Sequence, residues 1–328
     1  MKQRRIFITG GAGYVGAMLT PRLLELGHSV TVFDLMLYGD DVIEPHPNLV
    51  MVKADLRDTQ TLARSVSGHD TVIHLACISN DPSFELDPTL GRSINLDTFR
   101  PLVEISRSAG VTRFIYASSS SVYGVKDTPN VTEDMSLEPL TDYSRFKAEC
   151  ESILAEYQTP NFTTVTIRPA TVCGYSRRQR LDVVVNILSN LAYHKRRISV
   201  FGGKQLRPNI HISDMVAAYE ALLDAPSEVI AGQIFNAGYE NQSVEDLATL
   251  VRDVMGDDVE LVMTPTKDNR SYHISSERIR TVLGFVPQHS IREAVQDMKH
   301  AFERGLLPDS LTDERYFNIR RMQSAKLT

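Results

Sequence analysis

Ile6-Phe7-Ile8-Thr9-Gly10-Gly11-Ala12-Gly13-Tyr14-Val15-Gly16 reads as an apolar strand emptying into a glycine-rich turn, with a helical stretch following from Ala17 to Leu26. The glycines at 10, 13 and 16 suit three separate demands: a tight turn, close approach of backbone to a pyrophosphate, and close contact between helix and strand. Free N–H groups at such a helix start attract phosphate. A second strand, His28 to Phe33, ends at Asp34, about 20 residues beyond the turn, where a carboxylate accepts both hydroxyls of a ribose and repels a 2′-phosphate. The expectation is a dinucleotide site built on Gly10, Gly13, Tyr14, Val15, Gly16 and Asp34, taking NAD in preference to NADP.

Working outward, strand and helix patterns alternate. Asn48 to Lys53 reads as a third strand, followed by a helix ending near Gly68, and Thr71 to Ala76 as a fourth. Ile94 to Ala109 reads as one long amphipathic helix, Arg113 to Ala117 as a fifth strand, Tyr143 to Tyr157 as a helix and Thr163 to Arg168 as a sixth strand. Repeated strand–helix units imply an α/β fold, a Rossmann-type doubly wound parallel sheet covered on both faces, with ligands at the carboxyl ends of its strands. Beyond Pro169 the order is less regular. Leu181–Tyr193 and Ile212–Leu223 read as helices, Ile198–Phe201 and Gln233–Asn236 as strands, and Ser243 caps a helix to Met255. The expected division is a dinucleotide-binding domain over 1–170, to which parts of 210–236 return, and a smaller C-terminal substrate lobe from 171–209 and 237–328.

Composition narrows the class. The chain has 328 residues, 42% of them hydrophobic, enough for a large core. Thirty-five basic against 41 acidic residues, with no long basic run, argue against a nucleic-acid partner. No apolar 18-mer occurs and little chain precedes the first strand, so neither a membrane span nor a signal peptide is expected and the cytoplasm is the default location. Cys77, Cys150 and Cys173 lack CxxC or CxxH spacing, which argues against structural zinc or a disulfide scaffold, and no metal site is expected.

The chemistry-bearing residues lie between 118 and 147. The fifth strand runs into Ser118-Ser119-Ser120-Ser121-Val122-Tyr123-Gly124, and the later helix begins Tyr143-Ser144-Arg145-Phe146-Lys147. Tyr143 and Lys147, one helical turn apart, share a face. An ammonium beside a phenol favours the phenolate, and the same lysine can hold a nicotinamide ribose. With a serine hydroxyl from the strand end, these groups form a proton relay for alcohol–ketone interconversion.

Three motifs together resemble the extended short-chain dehydrogenase/reductase family, in particular its NAD-dependent nucleotide-sugar epimerases and dehydratases. They are TGGAGxxG at Thr9–Gly16, SSxxVYG at Ser118–Gly124 and YxxxK at Tyr143–Lys147, and the likeness runs to about Pro287. The resemblance implies Ser119 as the catalytic hydroxyl, Tyr143 as acid/base and Lys147 as its tuner. It places Asp55 and Leu56 by the adenine and Leu75 and Ala76 along the cofactor, although Asp55 also reads as a turn former. It makes the smaller lobe the nucleotide-sugar-binding one. Leu206-Arg207-Pro208-Asn209-Ile210-His211-Ile212-Ser213-Asp214 is similar to the family's R-x-x-I-H-V-x-D stretch, which assigns Arg207 to the substrate diphosphate, with Arg270 as a second guanidinium. The pairing helices of the family imply a homodimer through Ile94–Ala109 and Tyr143–Tyr157.

Departures from subfamily patterns bear on the reaction. Family 4,6-dehydratases carry Thr-Asp-Glu where this chain has Ser119-Ser120-Ser121, and neither Ser120 nor Ser121 can replace those carboxyls. Family 3,5-epimerases carry a cysteine at the place of Ser121. A 4-epimerase needs only Ser, Tyr, Lys and NAD, and is the expected activity. Thr171 stands where such enzymes often have Asn, and can still hydrogen-bond the substrate. Dehydratase, decarboxylase, other epimerase and keto-sugar reductase activities are the alternatives, with an inactive NAD-binding sensor or interaction protein as the non-enzyme one. Cys77, after the fourth strand, is either a core residue or a substrate contact beside Ser119 and Ser120. The run Arg177-Arg178-Gln179-Arg180 reads as a solvated basic turn before it reads as a phosphate or sugar-carboxylate site.

Overall fold

The computed structural model describes residues 3–79, 83, 86–126, 128, 130–266, 271 and 273–325. Its first half runs β1 (Arg5–Thr9), α1 (Gly16–Glu25), β2 (Ser29–Asp34), β3 (Leu49–Lys53), α2 (Thr59–Val66), β4 (Thr71–His74) and α3 (Pro88–Arg92). A π-helical turn over Ser93–Asp97 leads into α4 (Phe99–Ser108), then β5 (Arg113–Ala117), a short helical turn over Ser120–Tyr123, α5 (Asp142–Ala155) and β6 (Thr163–Pro169). The second half contributes β7 (Thr171–Cys173), α6 (Val184–Lys195), β8 (Arg197–Phe201), β9 (Leu206–His211), α7 (Ile212–Asp224), α8 (Ser227–Ile230), β10 (Gln233–Ala237) and β11 (Glu240–Ser243). After these come α9 (Val244–Met255), β12 (Glu260–Thr264), α10 (Glu277–Leu283), α11 (Ile291–Glu303) and α12 (Asn318–Ala325).

Seven parallel strands form the main sheet in the order β10-β6-β5-β4-β1-β2-β3. The chain winds outward from β1 through β2 to β3, then returns to β4 and winds the other way. That reversal opens a crevice beyond the carboxyl ends of β1 and β4, the place where doubly wound sheets hold ligands. Helices cover both faces. Leu19 and Leu23 of α1 join Met215 and Tyr219 of α7 in one apolar cluster. Leu62 of α2, Leu102 of α4 and Leu154 of α5 join Phe7 and Phe114 in the other. Because both faces are buried, Ile6, Phe7 and Ile8 of β1 have no exposed surface, which explains the unbroken apolar run.

A further cluster packs Val185 of α6, Leu247 of α9 and Met298 of α11 against β8, beside a sheet of order β11-β9-β7 and the pair β12-β8. No helix among the described residues is long and apolar enough to cross a membrane. One element departs from expectation. The single helix read over 94–109 is a π turn followed by α4. The reason is Pro101, which has no N–H to bond Asp97 and whose ring would crowd that carbonyl in a regular helix. Register at α5, by contrast, is set locally. Thr141 accepts from the Ser144 N–H at 3.3 Å and Ser144 Oγ accepts from the Thr141 N–H at 3.1 Å, a capping box that starts the helix just ahead of Tyr143.

Candidate active site

A cleft of about 360 Å³ occupies the crevice. The glycine turn forms its floor, with Gly10, Gly13, Tyr14, Val15 and Gly16 in the wall. Gly10 adopts φ +76°, and a Cβ there would lie 2.5 Å from the Ala76 nitrogen; one on Gly16 would lie 2.5 Å from the Gly11 carbonyl oxygen. No side chain fits either place. Helix α1 starts with no side-chain cap and no acidic residue in its first turn, so its positive end is left to an anion. Tyr14 also ties the turn to the second half of the chain, its hydroxyl donating to the Gly174 carbonyl at 2.6 Å.

Asp34 closes β2 inside the same cleft. Its Oδ2 accepts from the Ala12 N–H at 3.0 Å and its Oδ1 from the Met36 N–H at 2.8 Å. Burial raises its pKa from the ordinary carboxylate value, with the two backbone donors opposing the rise. A dinucleotide with free ribose hydroxyls fits this carboxylate, and the closed glycine turn fits its diphosphate. The expected result is that calorimetry finds NAD bound more tightly than NADP by roughly tenfold or more. Equal dissociation constants would remove Asp34 from that role.

The remaining cofactor-side positions also line the cleft: Asp55 and Leu56 after β3, Leu75 and Ala76 after β4. Asp55 is held by Arg57, whose backbone N–H reaches Oδ1 at 2.8 Å and whose guanidinium reaches Oδ2 at 2.7 Å, so it is a turn former as well as a wall residue. His74 turns away to meet Thr9 Oγ1 at 2.6 Å, and burial, aided by the Lys147 charge, pushes its pKa down to about 3. His74 is therefore no proton carrier near neutrality.

Ser119, Ser120, Ser121, Tyr143, Thr171 and Cys77 come together in the other half of the wall. Ser119 Oγ and Ser121 Oγ are 2.9 Å apart. Lys147 is buried behind the wall, its Nζ donating to the Ala117 carbonyl at 2.6 Å and standing 5.9 Å from the Tyr143 ring centre. The carboxylate of Glu151, a further turn along α5, accepts from Ser118 Oγ and from Arg168 Nη2 at 2.6 Å. One face of α5 is thus stitched to the end of β5, residue by residue.

One expectation about the arginines changes, that of a solvated turn at 177–180. Arg207, on β9, is not in the cleft wall; its Nη1 reaches the Leu206 carbonyl at 3.0 Å. Arg270 lies outside the described residues. The 177–180 run is no solvated turn. Only Arg177 is exposed, while Arg178 and Gln179 are buried and both Arg178 and Arg180 line the cleft. Arg180 is neutralised by Asp182 at 2.6 Å, and Arg178 stacks on Tyr38. Tyr38, Ser79, Asn318 and Met322 are wall residues that no motif announced. The signal available for the last two was their spacing, which puts them on one helical face.

A parallel sheet with a topological switch, a glycine cradle and an acidic strand end defines a dinucleotide-dependent enzyme of the Rossmann class. The pattern of the NAD dependent epimerase/dehydratase family matches residues 6–238, and the chain belongs to that family. It is 27% identical over 311 residues to a UDP-glucose 4-epimerase of Corynebacterium glutamicum, covering 89% of this chain and 94% of the relative. It is equally 27% identical over 298 residues to a dTDP-glucose 4,6-dehydratase of Streptomyces griseus, covering 86% and 89%. A dTDP-glucose 4,6-dehydratase of Streptomyces venezuelae, solved with NAD bound, shares the fold at a TM-score of 0.84 and 22% identity, over 94% of this chain and all of that one.

Proposed function

We propose that the protein is a nucleotide-sugar 4-epimerase of the UDP-galactose 4-epimerase kind. The observation that carries this is the distribution of carboxylates. Among the described residues of the cleft wall the acidic ones are Asp34 and Asp55, both at the dinucleotide end, while the positions around Tyr143 are serines and a threonine. Dehydration and C5 epimerisation need a base for a carbon-bound proton, and among the described residues no wall carboxylate stands beside Tyr143 to serve.

Bound NAD, held by the glycine turn and Asp34, would supply reversible hydride acceptance at the sugar C4. The Tyr143 phenolate takes the C4 hydroxyl proton and gives it back when the 4-ketone is reduced. Ser119 Oγ donates to the same oxygen, and Thr171, Ser120 and Cys77 border the sugar. Lys147, 5% exposed, places its Nζ 5.9 Å from the Tyr143 ring centre, where a positive charge favours the phenolate. The UDP-glucose 4-epimerase among the relatives supports the same activity. The reading includes a cytoplasmic homodimer through α4 and α5, which light scattering on the purified protein tests.

With a sugar nucleotide picked from a thermal-shift panel, turnover is expected to need only catalytic NAD, to leave NADH absorbance unchanged and to put no solvent deuterium on carbon. Mass spectrometry of product made in deuterated water reads the last point. Deuterium at C5 would mean dehydration or C5 epimerisation, and stoichiometric NADH consumption would mean a reductase.

A further inference from the structure

Arg178 is 4% exposed, yet no carboxylate among the described residues lies within ion-pair distance of it. Its neighbours in the interior are treated differently. Arg168 is matched by Glu151 and Arg180 by Asp182, while Arg113 donates to the Leu222, Leu223 and Ala225 carbonyls at the end of α7. Arg178 has only neutral partners. Its Nη2 donates to Asn318 Oδ1 at 2.7 Å, its Cζ stands 3.4 Å from the Tyr38 ring centre, and its buried Nε has no hydrogen-bond partner. A buried cation with no carboxylate in contact is costly, and burial lowers the Arg178 pKa from its ordinary value, with the Asp182 charge opposing the shift from a distance. A guanidinium so placed in a cleft wall is suited to an anion that arrives from outside.

Asn318 decides where the guanidinium points. It is 2% exposed and all three of its groups are engaged: N–H to Asp182 Oδ2 at 2.8 Å, Nδ2 to Ser79 Oγ at 2.8 Å, and Oδ1 to Arg178. A neutral amide orients the cation without neutralising it. The guanidinium lies against Tyr38, four residues beyond Asp34, and Ser176 Oγ, two residues before it, donates to the Tyr14 carbonyl of the glycine turn at 2.9 Å, which sets it at the dinucleotide half of the cleft.

We propose that Arg178 is an anchor for the diphosphate of the dinucleotide, and that Asn318, on the last helix of the chain, is the positioning residue that aims it. The proposal rests on the NAD-dependent reading above. Asn318→Asp tests it by building the missing counter-charge into the protein. Calorimetry is expected to show NAD affinity lowered by about tenfold or more, the scale of one hydrogen bond to a charged group. UDP affinity and the unfolding temperature of the cofactor-free protein are expected to hold. Arg178→Met should weaken NAD to a similar degree, and Asn318→Gln should restore part of what Asn318→Ala loses. Unchanged NAD affinity in Asn318→Asp would overturn the proposal, as would a loss of UDP affinity in its place, which would assign Arg178 to the sugar nucleotide. A wild-type protein that bound no NAD would sink the parent reading as well.

Discussion

Tyr143→Phe is expected to keep its fold and its NAD but to lose roughly 10²–10⁴-fold in turnover, the range for removing a positioned proton-transfer group. The substitution deletes one oxygen from a residue in the cleft wall and leaves the aromatic ring above Lys147 in place, so cofactor binding has no reason to change. Steady-state rates with the cognate sugar nucleotide, beside a titration with NAD, separate the two effects. Near-wild-type turnover would take Tyr143 out of the mechanism. Lys147→Ala should differ by also weakening NAD retention, because its ammonium both favours the phenolate and is assigned to the nicotinamide ribose.

Glu151→Ala is the substitution with the largest expected effect on stability. The Arg168 and Glu151 side chains are 3% and 5% exposed, and Arg168 meets Glu151 through Nε at 3.0 Å and Nη2 at 2.6 Å. Removing the carboxylate strands a buried guanidinium, which costs about 3–5 kcal/mol. Ser118 would lose its acceptor at the same time, one residue from Ser119, so turnover should fall in whatever protein remains folded. Urea unfolding midpoints measure the first effect. A loss below about 1 kcal/mol would mean that water or a rearranged neighbour replaces the carboxylate.

The glycine turn was legible from its own residues because its geometry is local. A φ of +76° at Gly10 is a demand that one residue meets, and the chain on either side needs only a strand and a helix. Tyr143 and Lys147 are legible for the same reason, since helical periodicity puts them on one face whatever surrounds the helix. Ser119 needs one step more, a strand end beside that helix, which strand–helix alternation supplies. The break before α4 was also local in origin, written in Pro101 and overridden by the amphipathic pattern around it.

The arginines show where local reading stops. Four polar residues at 177–180 look like a solvated turn, and for Arg177 that is what they are. Arg178 is buried because Tyr38 and Asn318 close over it, the latter 140 residues away in the chain. Arg207 matches a motif and yet stands outside the cleft wall. Dihedral preference, helical spacing and the apolar runs of a covered sheet act over a few residues, so they specified the Rossmann class, the dinucleotide turn and the Ser119–Tyr143–Lys147 set. Whether a charge is solvated, paired or left without a counter-ion depends on which distant segments pack around it. The cleft arginines and the part played by α12 therefore emerged from the folded chain alone.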